Sequence, residues 1–220
     1  MSSSKKTERT ATEFSFGIIP LRRKLRDAPL SLDNLEILLI EQKVGHRGNK
    51  HGRQWCFPKG HRDHRKEPPL DCAKRELEEE TNLRVAAFIF DVNDEAGRGR
   101  YASEYFNPVR RCWKRCEYWV AEVEEGEVRV QEAEVADAAW LDFDSAINRL
   151  THPEDRDVLE RVKADLGGRI AVANAHQSKG TLGHAHHVDD ALQVGRAQPF
   201  QIAHALDIDV ALQVGHAQQF

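Results

Sequence analysis

Residues 60–83 read GHRDHRKEPPLDCAKRELEEETNL, a glycine in a basic loop that leads into a segment crowded with carboxylates. The spacing predicts a helix that begins near Pro69, because a proline in the first helical turn sacrifices no hydrogen bond. On a helical wheel, Glu76, Glu79 and Glu80 fall within one arc of about 100°. Leu70, Ala73 and Leu77 form a neighbouring apolar stripe at three- and four-residue spacing. Three carboxylates on one face repel one another unless a cation lies between them, and oxygen donors of this kind suit a hard divalent ion such as Mg2+. Taken alone, the same run also reads as a solvated acidic helix face. Glu78 lies on another face and is expected in solvent.

The flanking residues add a pattern. Gly60, Glu67, the run Arg75-Glu76-Leu77-Glu78-Glu79-Glu80 and Leu83 resemble the signature of the Nudix hydrolase family. In that signature a glycine and a glutamate precede Arg-Glu-aliphatic-any-Glu-Glu-any-Gly-aliphatic. Two positions depart from it: six residues rather than five separate Gly60 from Glu67, and Asn82 replaces the closing glycine. Asn tolerates the left-handed conformation of a helix C-cap better than most residues, and an extra residue can bulge the loop without moving the helix.

The resemblance implies Mg2+ or Mn2+ held by Glu76, Glu79 and Glu80, with Arg75 orienting a helix glutamate and Glu67 bracing loop and helix. Gly60 would let the backbone approach metal or phosphate closely. The implied reaction is attack of water on a phosphoanhydride, with a carboxylate accepting the proton. Glu79 and Glu80 are the catalytic candidates on the helix. A further one is Glu134, with Glu132 nearby, because the segment EVADAAWLDF at 134–143 is similar to the Glu–five residues–Trp-Leu pattern of asymmetric bis(5'-nucleosyl)-tetraphosphatases. Trp55-Cys56-Phe57-Pro58-Lys59-Gly60-His61 and Glu117-Tyr118-Trp119-Val120-Ala121-Glu122-Val123 are similar to two further stretches of those diadenosine tetraphosphate hydrolases. By that match Lys59 would contact a phosphate, and Tyr118 would stack on a base or support the pocket. His61 and Arg53 complete the expected substrate-binding set. Phe57 to Gly60, Asp71 to Ala73 and Glu79 to Thr81 also resemble mRNA-decapping Nudix domains, and the basic loops suit inositol pyrophosphates. A Nudix fold that binds nucleotides without hydrolysing them is a further reading, against which stand the three helix glutamates.

Charge is distributed to suit such a site. Lys43 to Lys66 holds eight Lys/Arg against one acid, a local net of +7, whereas Glu122 to Asp137 holds seven acids against one Arg, a net of −6. The expected partner is a small polyanionic phosphate compound, with nucleic acid only as a capped RNA substrate. The opening MSSSKKTERTATE lacks the apolar run of a signal peptide or anchor, and no 18-residue apolar stretch follows. That predicts a cytoplasmic or nuclear protein. Cys112 and Cys116 have no second pair with zinc spacing, so unpaired thiols are expected at all four cysteines, Cys56 and Cys72 included.

The remaining sequence predicts an α/β sandwich, a mixed sheet with helices on both faces, over residues 13–168. Strands are expected near Phe14–Ile19, Leu35–Ile40, Val85–Asp91, Cys116–Val123 and Val135–Phe143, and helices at Asp144–Leu150 and Pro153–Leu166. Lys43–Arg53 and 92–111 read as loops. Residues 1–12 read as a disordered lead-in, and 169–220 as a low-complexity tail in which 181–200 and 201–220 share eleven of twenty positions. The tail histidines (His184, His186, His187, His204 and His216) read as polar rather than metal-binding.

Overall fold

A computed structural model describes residues 11–25, 27–46, 49–93, 99–107, 110–180 and Ile202. The apolar runs of the sequence form the spine of one mixed sheet. Its strands are β1 (Glu13–Arg23), β2 (Leu35–His46), β3 (Asn49–Cys56), β4 (Lys59–Gly60), β5 (Val85–Phe88), β6 (Arg100–Asn107), β7 (Cys112–Val123) and β8 (Val135–Leu141). The main order is β3-β2-β1-β7-β5, with β4 paired to β1, β6 to β7 and β8 to β2. Only the β1–β7 pair is parallel among these pairings, with Glu13 opposite Lys114 and Gly17 opposite Tyr118. Pro20 lies where the other edge of β1 changes partner, between the β4 pairing at Phe16–Gly17 and the β2 pairing at Leu21–Arg23. A residue without an N–H is tolerated there.

Both sheet faces are covered, which explains why the central strands read as nearly continuous apolar runs. Helix α1 (Pro69–Thr81) packs Cys72, Ala73 and Leu77 against Phe16, Ile18, Leu38 and Trp119. Helices α2 (Phe143–Arg149) and α3 (Pro153–Gly180) cover the opposite face. There Val158, Leu159, Val162 and Leu166 join Ile19, Leu21, Ile37, Leu39 and Val120. The period-two alternation of strand side chains thus sends Ile18 to one layer and Ile19 to the other. The α/β sandwich is as predicted.

Local signals also behave as expected at the helix ends. Pro68 caps α1 with Pro69 in its first turn, and Asn82 takes the left-handed conformation at φ 63°, returning its N–H to the Glu78 carbonyl. Glu78 is exposed and pairs with Arg84. All four cysteines are free.

Two expected loops are different. Within Lys43–Arg53 the described residues are strand, β2 pairing antiparallel with β3 with Lys43 opposite Arg53 and Gln42 opposite Gln54, because ladder bonds outweigh a glycine-rich, charged composition. Within 92–111, residues 100–107 form β6, which pairs along β7 from Arg100–Trp119 to Asn107–Cys112. Its sequence, RYASEYFN, has too little apolar alternation to announce a strand. Helix α3 continues past residue 168: Arg169 donates to the Ile89 carbonyl at 3.0 Å, and Ile170 is buried. Ile202, the one described residue beyond Gly180, is buried in the same cluster, and its N–H is donated to the Glu122 carboxylate at 3.1 Å. The tail repeat and its histidines otherwise lie outside the described residues, as do residues 1–10. No helix among the described residues is long and apolar enough to cross a membrane.

The β1–β4 crossing depends on a glycine. A Cβ on Gly17 would stand 2.2 Å from the Pro58 carbonyl oxygen and 2.7 Å from Lys59 Cβ. Gly17→Ala is therefore expected to destabilise the fold by about 1–3 kcal/mol, read as a lowered urea midpoint. An unchanged midpoint would mean that the two strands do not approach this closely.

Candidate active site

The helical period brings Glu76, Glu79 and Glu80 to one end of the sheet, but their surroundings differ. Glu79 is half-exposed, Glu76 largely covered and Glu80 buried. Glu80 reaches under the β4 segment, where one carboxylate oxygen accepts the Lys59 amide N–H at 2.8 Å and the other accepts from Gln42 Nε2 at 3.4 Å. Burial pushes its carboxyl up to about 8 against the pull of Lys59, and the charges of Glu76 and Glu134 add to the rise. Burial likewise raises Glu76, with Arg75 opposing and Glu79 and Glu134 reinforcing.

Gly60 is next to Glu76. A Cβ at position 60 would fall 2.0–2.2 Å from the Glu76 carboxyl atoms, so the glycine makes room for a carboxylate.

Arg75 holds this end of the helix together. Its Nη1 donates to Glu76 at 3.0 Å and to Glu79 at 2.9 Å, its Nε donates to Glu67 at 2.9 Å, and its Nη2 donates to the His61 carbonyl at 2.8 Å. Glu67 in turn accepts the Asp63 N–H at 2.9 Å. The Arg75 hydrogen bond chiefly, together with that N–H, holds its carboxyl down at about 2 despite burial. The extra residue in the 60–67 loop therefore leaves the Glu67–Arg75 contact intact.

Glu134 is exposed at the turn before β8, where its carbonyl accepts the Lys43 N–H at 2.7 Å. Its charge contributes to the rise of both Glu76 and Glu80. Glu132 contributes its carbonyl to the Lys43 ammonium.

Among the described residues, no three His, Cys, Asp or Glu groups converge closely enough to hold an ion as they stand. Arg75 spans Glu76 and Glu79 instead. The donor set still fits a divalent cation: all its members are oxygens, and their mutual repulsion is what a cation would relieve.

Beside the carboxylates lies a cleft of about 860 Å³ whose lining includes Gln42, Lys59, His61, Tyr105, Arg110 and His152. Lys59 is nearly buried, its ammonium 3.1 Å from Cys56 Sγ and 3.4 Å from Gln42 Oε1. Burial works against its charge, but Cys56, Cys116, Asp155 and Glu80 around it outweigh that and raise its pKa.

Two expected substrate contacts are placed otherwise. Tyr118 has no face for a base: it is fully buried, edge-on to Phe57 at 5.1 Å, with its hydroxyl donated to Asp155 at 3.2 Å. Of its two expected roles only support from below remains. Arg53 turns away to Glu41 at 2.8 Å, and alternation along β3 gives the cleft Gln54 in its place. Residues that the sequence did not single out include Tyr105 and His152, whose rings stack at 5.1 Å and 10°, and Gln54, which bonds His152 at 3.0 Å. Nothing in the local sequence marks them, since they come from β6, β3 and the turn before α3.

The family model described as the NUDIX domain matches residues 21–162. This chain belongs to the Nudix family. A curated relative, an 8-oxo-(d)GTP phosphatase of Mycolicibacterium smegmatis, is 31% identical over 127 residues, which are 57% of this chain and 35% of the relative. The chain thus spans about a third of that protein's length. Among solved structures, a C. elegans Ap4A hydrolase binary complex is similar with a TM-score of 0.53 at 22% identity, over 71% of this chain and 98% of that one. The NUDIX domain of Shewanella oneidensis NrtR, complexed with ADP ribose, has a TM-score of 0.51 at 14% identity, over 74% and 93%. At these identities the structural likeness concerns the fold. Within this Nudix domain, Asn82 does the conformational work of the family's closing glycine.

The raised Glu80 carboxyl has a consequence for the metal-free protein. The folded chain keeps a proton that the unfolded chain, at an ordinary value of 4.5, has released. Stability is therefore expected to fall as pH rises from about 4.5 to about 8. Urea titrations in EDTA across that window should show the slope, Glu80→Gln should flatten it, and Mg2+ should restore stability at its upper end. A pH-independent midpoint in the native protein would refute the buried, proton-holding carboxylate.

Proposed function

We propose that this Nudix domain hydrolyses a phosphoanhydride bond of a dinucleoside polyphosphate such as diadenosine tetraphosphate. The observation that carries this reading is the α1 carboxylate group, Glu76, Glu79 and Glu80 on one helix end, where the Glu134 charge adds to the rise of Glu76 and Glu80. Glu76, Glu79 and Glu80 are the proposed holders of Mg2+ or Mn2+. Divalent cations, which Nudix hydrolases generally use, neutralise charge on a phosphate chain and acidify water when bound.

The chain's own groups do the rest. Glu134, exposed and free of the Arg75 network, is the proposed proton acceptor for the attacking water. Arg75 fixes the carboxylates of Glu76 and Glu79 from behind, a positioning task. The Lys59–Gly60 segment offers a backbone that approaches the carboxylates without a side chain between.

For the substrate, support comes from the motif similarity at Trp55–His61 and Glu117–Val123, and from a cleft that combines cations with the Tyr105–His152 ring pair. Aromatic rings beside cations suit a nucleotide with a phosphate chain. A nucleoside triphosphate is the second reading, favoured by the 31% identity to the 8-oxo-(d)GTP phosphatase.

Steady-state hydrolysis of a panel tests this: diadenosine polyphosphates, 8-oxo-dGTP, capped RNA and inositol pyrophosphates, each with Mg2+ and with Mn2+. The diadenosine tetraphosphate is expected to give the highest kcat/KM. Glu79→Gln and Glu134→Gln should each lower kcat by roughly a hundredfold or more, with little change in melting temperature because both side chains are exposed. Unchanged turnover in Glu79→Gln would refute the site.

A further inference from the structure

Two ionisable side chains are buried side by side at the floor of the cleft without pairing. The Lys59 amide N–H is donated to one oxygen of the Glu80 carboxyl at 2.8 Å, so the two residues are neighbours through the backbone. Lys59 is 7% exposed and Glu80 1%, which leaves little water for either. In such a place a direct ammonium–carboxylate contact is the strongest interaction open to both. Among the described residues, however, the Lys59 ammonium makes no ion pair. Its contacts are Cys56 Sγ at 3.1 Å and Gln42 Oε1 at 3.4 Å. Asp155, another buried acid of this region, accepts the hydroxyls of Ser103 at 2.8 Å and Tyr118 at 3.2 Å instead.

Gln42 stands between the two charges. Its carbonyl oxygen accepts from the ammonium, and its Nε2 donates to the second Glu80 oxygen at 3.4 Å. A primary amide serves both neighbours at once, as an acceptor for the cation and a donor for the carboxyl; a carboxylate or an ammonium at this position serves only one. At 3.4 Å both contacts are at the long end of hydrogen bonding. The amide therefore separates the charges more than it clamps them.

The backbone prepares position 42 for this task. The β2–β8 ladder shifts register between Glu41 and Gln42, so that one step on β2 matches two on β8, from Asp137 to Val135. A bulge of this kind bends a strand and re-aims the side chains beside it. On the other edge of β2, Gln42 stays in register with Gln54 of β3.

We propose that Gln42 is a positioning residue that keeps the Lys59 ammonium and the Glu80 carboxyl from pairing with each other, so that the lysine stays directed to anions in the cleft and the carboxyl to a cation. This rests on the metal-binding role proposed for Glu80 above. Without the amide the two groups satisfy one another, and a metal ion must first break that internal ion pair.

The test uses the full chain with Gln42→Met, which keeps the length of the side chain and removes both polar ends. A crystal structure of the variant is expected to show Lys59 Nζ at ion-pair distance from Glu80. Its Mn2+ affinity, read from the electron paramagnetic resonance signal of the free ion, should fall roughly tenfold. In a Lys59→Met background the same Gln42→Met change should cost less than about twofold, because no internal cation remains to compete. A tenfold loss that persists in that background would mean general damage to the site and overturn the proposal, as would a variant structure in which the two side chains stay apart. Gln42→Leu supplies the same comparison should Gln42→Met fail to fold. Neither measurement needs turnover, so a chain that behaves as expected yet cleaves no anhydride sinks the hydrolase reading alone. A native chain that binds no Mn2+ overturns both.

Discussion

The Glu80 carboxyl, buried beneath β4 and accepting the Lys59 N–H at 2.8 Å, is the contact on which the arrangement of α1 against the sheet depends. A buried polar group without hydrogen-bond partners costs free energy, so the groups around it are constrained by its needs. Gln42 from β2 and the Lys59 backbone from β4 must both be in place, which ties helix α1 to two separate strands. The apolar stripe of Cys72, Ala73 and Leu77 sets the distance between helix and sheet. Gly17 then sets how closely β4 can cross β1. Position and charge of the carboxylates are therefore properties of the sheet as much as of the helix.

Around that contact the charges are separated by structure rather than by sequence runs. Arg75 belongs to the acidic helix, yet it serves the carboxylates from behind by joining Glu67, Glu76, Glu79 and the His61 carbonyl. Of the basic stretch before the helix, Arg53 pairs with Glu41, while Lys43, whose ammonium donates to the Glu132 carbonyl, and Lys59 both line the cleft. Further cations along the cleft come from Arg110 in the β6–β7 turn and Lys114 on β7. A local net charge of +7 is a fair sign of an anion site, and two of its members, Lys43 and Lys59, line the cleft.

The helix was legible because its logic is local. A proline start, an apolar stripe, a carboxylate arc and an asparagine cap are all set by the 3.6-residue period and by backbone sterics within a few residues. The apolar runs of β1, β2 and β7 likewise announced a sheet covered on both faces. Short or charged strands did not: β3 and β6 gain their structure from ladder bonds to β2 and β7, and composition carries no record of those partners.

The sequence by itself determined helix α1, the arc of carboxylates along it and the sandwich that presents them. Tertiary structure alone decided which residues meet them. Pairing of β1 with β7 brings Glu13 to Lys114 across a hundred residues, alternation turns Arg53 out and Gln54 in, and burial converts Tyr118 from a cleft residue into a support under Phe57. The physical reason is that a helix fixes neighbours by spacing along one segment, whereas a cleft is defined by strand register and layer packing between segments distant in the chain.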